Sequence, residues 1–156
     1  MSLNLITKEG FKKLQVELET LKSVERPKVI EDIAEARSHG DLRENSEYAA
    51  AKEKQVFIEN RIAELESLTS ELVIFEPETV ANKKEIRFGA ICTIEDSSKE
   101  KKKIQIVSPH EADFSNGLVA IDAPFAKALL GKEEGETFEA MTKGKKQIMK
   151  IIKVQY

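Results

Sequence analysis

GDLRENSEYAAAKEKQVFIENRIAELESLTSEL, residues 40–72, decides the fold. From Tyr48 onward, Tyr48, Ala51, Gln55, Ile58, Ile62, Leu65, Thr69 and Leu72 step by three and four without a break. That spacing lines one side of an α-helix over roughly three heptads. Ala51, Gln55 and Thr69 make parts of the seam small or polar, which weakens a long parallel dimer and suits an antiparallel pair. At ~1.5 Å per residue, the segment from Glu44 to Val73 spans about 45 Å.

A matching seam lies upstream. Phe11, Leu14, Leu18 and Leu21 step by three, four and three. The phase breaks near Pro27, which lacks a backbone donor and is expected to kink or restart the helix; Ile30, Ile33 and Ala34 resume the seam. Thr7 is placed to cap this first helix, although Gly10 stands where a capping box carries Glu or Gln. The connection between the two segments is short and contains Gly40, and short connections make antiparallel neighbours. An intermolecular coiled coil would satisfy one seam. Two seams of matching length around one turn favour a protruding α-hairpin with Ser38–Asn45 at its far end.

Composition changes near Pro77. Up to residue 75 the chain has only Pro27, Gly10 and Gly40, whereas the other three prolines and five glycines follow with short β-branched runs. This divides the chain into a helical domain, 1–76, and a second domain, 77–156, with a linker at about Phe75–Glu85. Strands are expected over Arg87–Glu95, Lys103–Ser108 and Leu118–Asp122. A short helix follows from Pro124 to Leu130, with proline in its first turn and Gly131 past its end. Glu136–Thr142 and Gln147–Val154 close the domain around Lys143-Gly144. One helix on a mainly antiparallel sheet makes this half α+β.

The 156 residues are 34% charged with a net charge of −3. A high charged fraction fits a long exposed helical pair. The balance excludes the overall basic field of a free-standing nucleic-acid binder, so any such contact must come from a local patch. Cys92, the single cysteine, sits in an apolar run and reads as a core residue, and no Cys/His spacing suggests zinc. No uncharged run reaches the ~18 residues of a membrane span. With no apolar signal region at the start, the expectation is a soluble, cytoplasmic protein.

Asp41 and Glu44 carry the chemical question. Asp-x-x-Glu resembles a capping box, and both charges suit the positive end of a helix dipole. Alternatively the carboxylates face outward at the end of the arm, where two acids three apart can converge on one hard cation. Mg²⁺ is commonly held by one or two carboxylates, with water and substrate phosphate completing its shell. Two ligands make a weak site by themselves, so a partner must supply the rest. Arg37, Arg43, Lys52 and Lys54 lie near the same end, interleaved with Glu35, Glu47 and Glu53. They read either as a solvated helix surface with i,i+4 pairs or as a small phosphate-guiding patch around Arg37 and Lys52. His39 reads as a turn residue.

GDLRENSEYAAAKEKQ resembles the tip signature of the bacterial GreA/GreB transcript cleavage factors. LKSVERP (21–27), IAEARSHG (33–40) and ALLGKEEG (128–135) extend the resemblance over essentially the whole chain, on the GreA side because the basic patch is small. The resemblance implies a coiled-coil hairpin that enters the secondary channel of bacterial RNA polymerase, and an FKBP-like second domain that docks at its rim. It implies that Asp41 and Glu44 help hold Mg²⁺ in the polymerase's own active centre, where backtracked RNA is cut to leave a new 3′ end in register. Arg37 and Lys52, with Asn45 and Ser46, would contact RNA or polymerase. Lys52 stands where arginine is common and loses the bidentate fork. Asp122, Pro124 and Phe125 are the docking candidates, although Ala123 replaces a frequent serine. The expected protein is a monomeric accessory factor rather than an enzyme, with the nascent RNA 3′ end as its target. A Gre-like channel-binding inhibitor is the alternative, and the intact Asp-Leu-Arg-Glu-Asn tip weighs against it. A prolyl isomerase is poorly supported, because the second half has no tryptophan and only Tyr156 as tyrosine.

Overall fold

The structure is a computed structural model and describes residues 4–40 and 45–156. These fall into two compact units: Phe11–Leu72, and the described residues up to Gly10 together with Val73–Tyr156.

In the first unit, α1 (Lys8–Thr20), a π-helical turn (Leu21–Glu25) and α2 (Arg26–Arg37) make one continuous helical run, and α3 (Ser46–Glu71) returns beside it. The 26 residues of α3 correspond to about 39 Å. Its seam faces inward throughout: Ile58, Ile62 and Leu65 are buried, while Tyr48, Ala51, Gln55, Thr69 and Leu72 are half-buried. Val29, Ile58 and Ile62 form a core against Leu18 and Leu21.

The upstream arm corrects one expectation. Ile30 is 53% exposed and Ala34 is also exposed, whereas Val29, Ile33 and Ala36 are buried. The cause is the π turn, in which the Arg26 N–H bonds to the Leu21 carbonyl five residues back. A π turn accommodates one extra residue. Continued heptads would bring Lys28, Asp32 and Glu35 inward; a shift of one residue brings Val29, Ile33 and Ala36 instead. Pro27 explains why the turn sits there. Proline has no N–H to donate, and in an α-helix its ring clashes with the carbonyl four residues back, here that of Ser23. The wider turn passes the chain through without a break, so the expected restart of the helix takes the form of a phase shift.

Ion pairs flank the hairpin core. The Arg26 guanidinium donates to both Glu59 oxygens at 2.8 Å. Arg61 donates to Glu17 at 2.7 and 2.9 Å and to Glu64 at 3.0 Å. The Arg61 guanidinium holds the Glu17 carboxyl below the usual carboxylate range. A depressed carboxylate contributes stability above its unfolded pKa and loses it as pH falls through the folded value. Bidentate geometry lifts this half-buried pair toward the upper end of surface values. Glu17→Gln should therefore cost about 0.5–1 kcal/mol at neutral pH. Urea unfolding should show that difference vanishing in acid, where the parent also carries a neutral side chain.

The second unit holds two sheets. β1 (Leu5–Ile6) pairs in parallel with β2 (Val73–Ile74). β3 (Ile91–Glu95), β4 (Lys101–Val107), β5 (Leu118–Ala120), β6 (Thr137–Thr142) and β7 (Lys145–Gln155) form a five-stranded sheet in the order β5-β4-β3-β7-β6. All neighbours are antiparallel except β4 and β5. α4 (Pro124–Leu129) covers one face, and Ala126 and Leu129 pack into a core with Cys92, Ile94, Ile106 and Ile151. Cys92 is buried as expected, and burial pushes its thiol up to about 12. Lys143 and Gly144, both with positive φ (53° and 75°), close β6 onto β7. Such a two-residue loop follows the twist of its strands.

Two details depart from the sequence reading. β3 begins at Ile91 rather than Arg87, because Gly89 takes φ +85° and the Ala90 N–H bonds back to the Arg87 carbonyl. A side chain at Gly89 would run into the Phe75 ring, which packs edge-on against Phe88. Phe75 is thus part of this unit's packing rather than a free linker. The sequence also groups everything up to residue 76 with the hairpin. Asn4–Gly10 instead pack with the second unit, because β1 pairs with β2 and the Thr7 N–H donates to Glu111 Oε2 at 2.9 Å.

Candidate functional site

The far end of the hairpin is built by Asn45. It is the N-cap of α3: its Oδ1 accepts from the N–H groups of Glu47 (3.0 Å) and Tyr48 (3.1 Å). A side-chain oxygen in this role satisfies donors that the helix leaves unpaired. The Asn45 Nδ2 donates to the Ala36 carbonyl at 2.7 Å, so one side chain caps α3 and ties it to α2. The expected cap by Asp41 is therefore not what starts α3. Asp41 and Glu44 lie outside the described residues. Among the described residues no group of three or more His, Cys, Asp or Glu side chains is placed to hold a metal.

Arg37 is exposed at the end of α2, with its guanidinium 5.9 Å from the centroid of the Tyr48 ring. A cation over an aromatic face is attracted by the ring quadrupole. Tyr48 thus serves both as a seam residue and as a rest for Arg37, a role its place in the heptad pattern concealed. Lys52 is one turn farther along α3 on the same side as Tyr48. It is exposed, and its ammonium donates to Gln55 Oε1 at 3.2 Å. Ser46 is exposed in the first turn of α3, and His39 Nε2 stands 4.0 Å from Glu47 Oε2. The hairpin therefore brings Arg37 onto Tyr48 across the turn, with Lys52 one turn farther along α3.

The second set of candidates surrounds the start of α4. Asp122 and Pro124 are exposed, and Pro124 occupies the first turn. Ala123 at the cap position makes no side-chain hydrogen bond. Phe125 is half-buried, edge-on to Phe114 and to Phe138, with both centroid distances 5.7 Å. Phe125, Phe114, Ile94, Ile104, Met141 and Met149 line part of a groove of about 770 Å³ on this unit.

Both parts of the chain match one family. The family model described as "Transcription elongation factor, N-terminal" matches residues 4–74, and that described as "Transcription elongation factor, GreA/GreB, C-term" matches residues 81–156. Transcription elongation factor GreA of Cereibacter sphaeroides is 48% identical over 152 residues, covering 97% of this chain and 96% of that protein. The GreA protein of Alkalilimnicola ehrlichii is 45% identical over 158 residues, covering 100% and 99%. Among solved structures, Gfh1 of Thermus thermophilus aligns at 28% identity over 97% of this chain and 98% of that one, with a TM-score of 0.44. The full-length identity to the GreA proteins and the paired family matches carry the assignment: the chain belongs to the GreA/GreB family of transcription elongation factors.

Proposed function

We propose that the chain stimulates the intrinsic RNA-cleaving activity of bacterial RNA polymerase on backtracked complexes, and so rescues arrested elongation. The observation that supports this best is the capped hairpin end. Asn45, the next residue in sequence after Glu44, caps α3 and ties it to α2. Family membership then gives the arm its destination, the secondary channel.

In this reading the hairpin Phe11–Leu72 supplies the entering arm, and the second unit, an FKBP-like domain, docks at the channel rim through Asp122, Pro124 and Phe125. The chain acts as a monomer and as an accessory factor, because two carboxylates do not complete a metal shell. Asp41 and Glu44 are the acids that would hold Mg²⁺ jointly with the polymerase, and they supply the hard oxygen donors this ion requires. When bound, Mg²⁺ activates water and stabilises charge in an in-line phosphoryl displacement. Arg37 and Lys52 hold phosphates of the RNA near its 3′ end, with Arg37 steadied by Tyr48. Lys52 contributes a point charge rather than a bidentate fork. Ser46 offers a hydroxyl to RNA or polymerase, while Asn45 acts by holding the shape of the tip.

The test is a stalled elongation complex assembled from purified polymerase. Adding the chain should release a short 3′ RNA fragment and restore extension. Suppressed extension without cleavage would mark a channel-blocking inhibitor and overturn the proposal.

A further inference from the structure

Strand β6 leaves its outer edge open. It stands last in the order β5-β4-β3-β7-β6 and pairs only with β7. Across the two-residue loop Lys143-Gly144, Thr142 and Lys145 exchange both backbone hydrogen bonds, and such pairs alternate along an antiparallel ladder. The Ile151 N–H, bonded to the Glu136 carbonyl at 2.9 Å, keeps the same phase at the other end. The N–H and C=O groups of Thr137, Glu139 and Met141 therefore point away from β7. Among the described residues no other backbone group bonds to them. Edge strands are commonly guarded by a proline, a bulge or a free charge. The six residues of β6 include no proline and its register has no bulge. Its one charge, Glu139, is paired with Lys146 at 3.5 Å.

The side chains of the same three residues lie on the face turned away from the core, because the alternate residues Phe138 and Ala140 are buried. On that face Met141 is 66% exposed, and Ile148, opposite Glu139 on β7, is 62% exposed. Thr142 ends the strand and lines the groove beside α4, and its Oγ1 is buried without a hydrogen-bond partner. Charge changes sign along the edge. Glu133, Glu134 and Glu136 precede β6, moderated by Lys132 and by Lys150 opposite Thr137, whereas Lys143, Lys145 and Lys146 follow it.

We infer that this edge takes up an extended peptide segment of another protein as a sixth strand, antiparallel to β6. The segment has apolar side chains at alternate positions, acidic residues ahead of them and basic residues behind. In strand addition, main-chain bonds give affinity and alternate side chains give specificity. The antiparallel direction sets the acidic end of the segment against Lys143, Lys145 and Lys146, and the basic end against Glu133, Glu134 and Glu136. The opposite edge of the sheet, β5, is only three residues long. A second copy of the chain fits less well. In the two registers of greatest overlap, Glu139 falls opposite its own counterpart or opposite Met141, which adds like charge or forfeits the apolar contact. Two such short edges also fall short of the roughly 1,200 Å² of a stable interface.

The experiment is fluorescence anisotropy of the labelled peptide Glu-Glu-Thr-Val-Thr-Val-Thr-Val-Lys-Lys titrated with the full chain. Saturable binding is expected. The same residues in reverse order should bind roughly tenfold more weakly, because each end then meets like charge. Glu139→Pro removes an outward N–H that β7 does not use, and should abolish binding. Met141→Lys keeps every backbone group and should weaken binding about fivefold or more through the lost apolar contact. Val16→Lys on α1 should leave the titration as it was. Hydrogen exchange at the Glu139 and Met141 amides should slow when peptide is added, and not when the chain alone is concentrated. No saturable binding, equal binding of the reversed peptide, binding indifferent to both β6 variants, or slowed exchange with the chain alone would each overturn the inference.

Discussion

Asp41→Ala and Glu44→Ala are each expected to reduce stimulated RNA cleavage by about 100-fold or more, the scale on which a metal ion's stabilisation of a phosphoryl transition state is lost. If the arm offers Mg²⁺ two carboxylates as proposed, removing either leaves one protein ligand from the arm. The structure makes these variants unusually readable. α3 is capped by Asn45 through its own side chain, and that side chain also ties α3 to α2. Neither acid is needed to start the helix, so circular dichroism should report unchanged helicity. Polymerase binding should persist, because the seam of Ile58, Ile62 and Leu65 and the α4 region are untouched. Asn45→Ala offers the contrast, since it loosens the tip while leaving both acids in the sequence. If the Asp41→Ala, Glu44→Ala double variant still stimulated cleavage fully, the tip acids would have no part in the chemistry.

Much of this architecture was legible in the sequence because periodicity reports burial directly. Every seam position of α3, from Tyr48 to Leu72, is buried or half-buried. The phase of α2 was not legible. Pro27 announced a disturbance, but a kink, a restart and a one-residue π insertion all satisfy a missing donor, and only the last brings Val29, Ile33 and Ala36 inward. At the tip, Asp41-x-x-Glu44 and Asn45 compete as caps under the same local rules. Asn45 prevails because its amide has a second partner, the Ala36 carbonyl, nine residues back across the turn. In the second unit the strands could be read from their β-branched runs, whereas the parallel pairing of β4 with β5 depends on a connection that no local pattern encodes.

Gly10→Glu separates local from tertiary reasoning most sharply. Helix rules favour the change: it completes a Thr-x-x-Glu capping box and removes a glycine, a gain of about 0.5–1 kcal/mol. The structure predicts the opposite. Thr7 Oγ1 already accepts from the Gly10 N–H at 3.0 Å. The reciprocal half of the box comes from Glu111: its carboxylate accepts from the Thr7 N–H at 2.9 Å and the Ser108 N–H at 3.2 Å, and hydrogen-bonds the Thr7 hydroxyl. A side chain at Gly10 would run into that carboxylate, and glutamate would set a second negative charge against it. Displacing Glu111 leaves buried backbone donors unsatisfied, at about 1–3 kcal/mol. The net expectation is a loss of about 2 kcal/mol, once the propensity gain is set against that penalty and the repulsion between the two carboxylates. Denaturant unfolding of Gly10→Glu, Glu111→Ala and the double variant measures this directly. With Glu111 removed, the new glutamate has room to close the box itself, so the double variant should be more stable than the sum of the singles by about 1 kcal/mol or more. Simple additivity, or a Gly10→Glu protein as stable as its parent, would mean that Glu111 does not hold the start of α1.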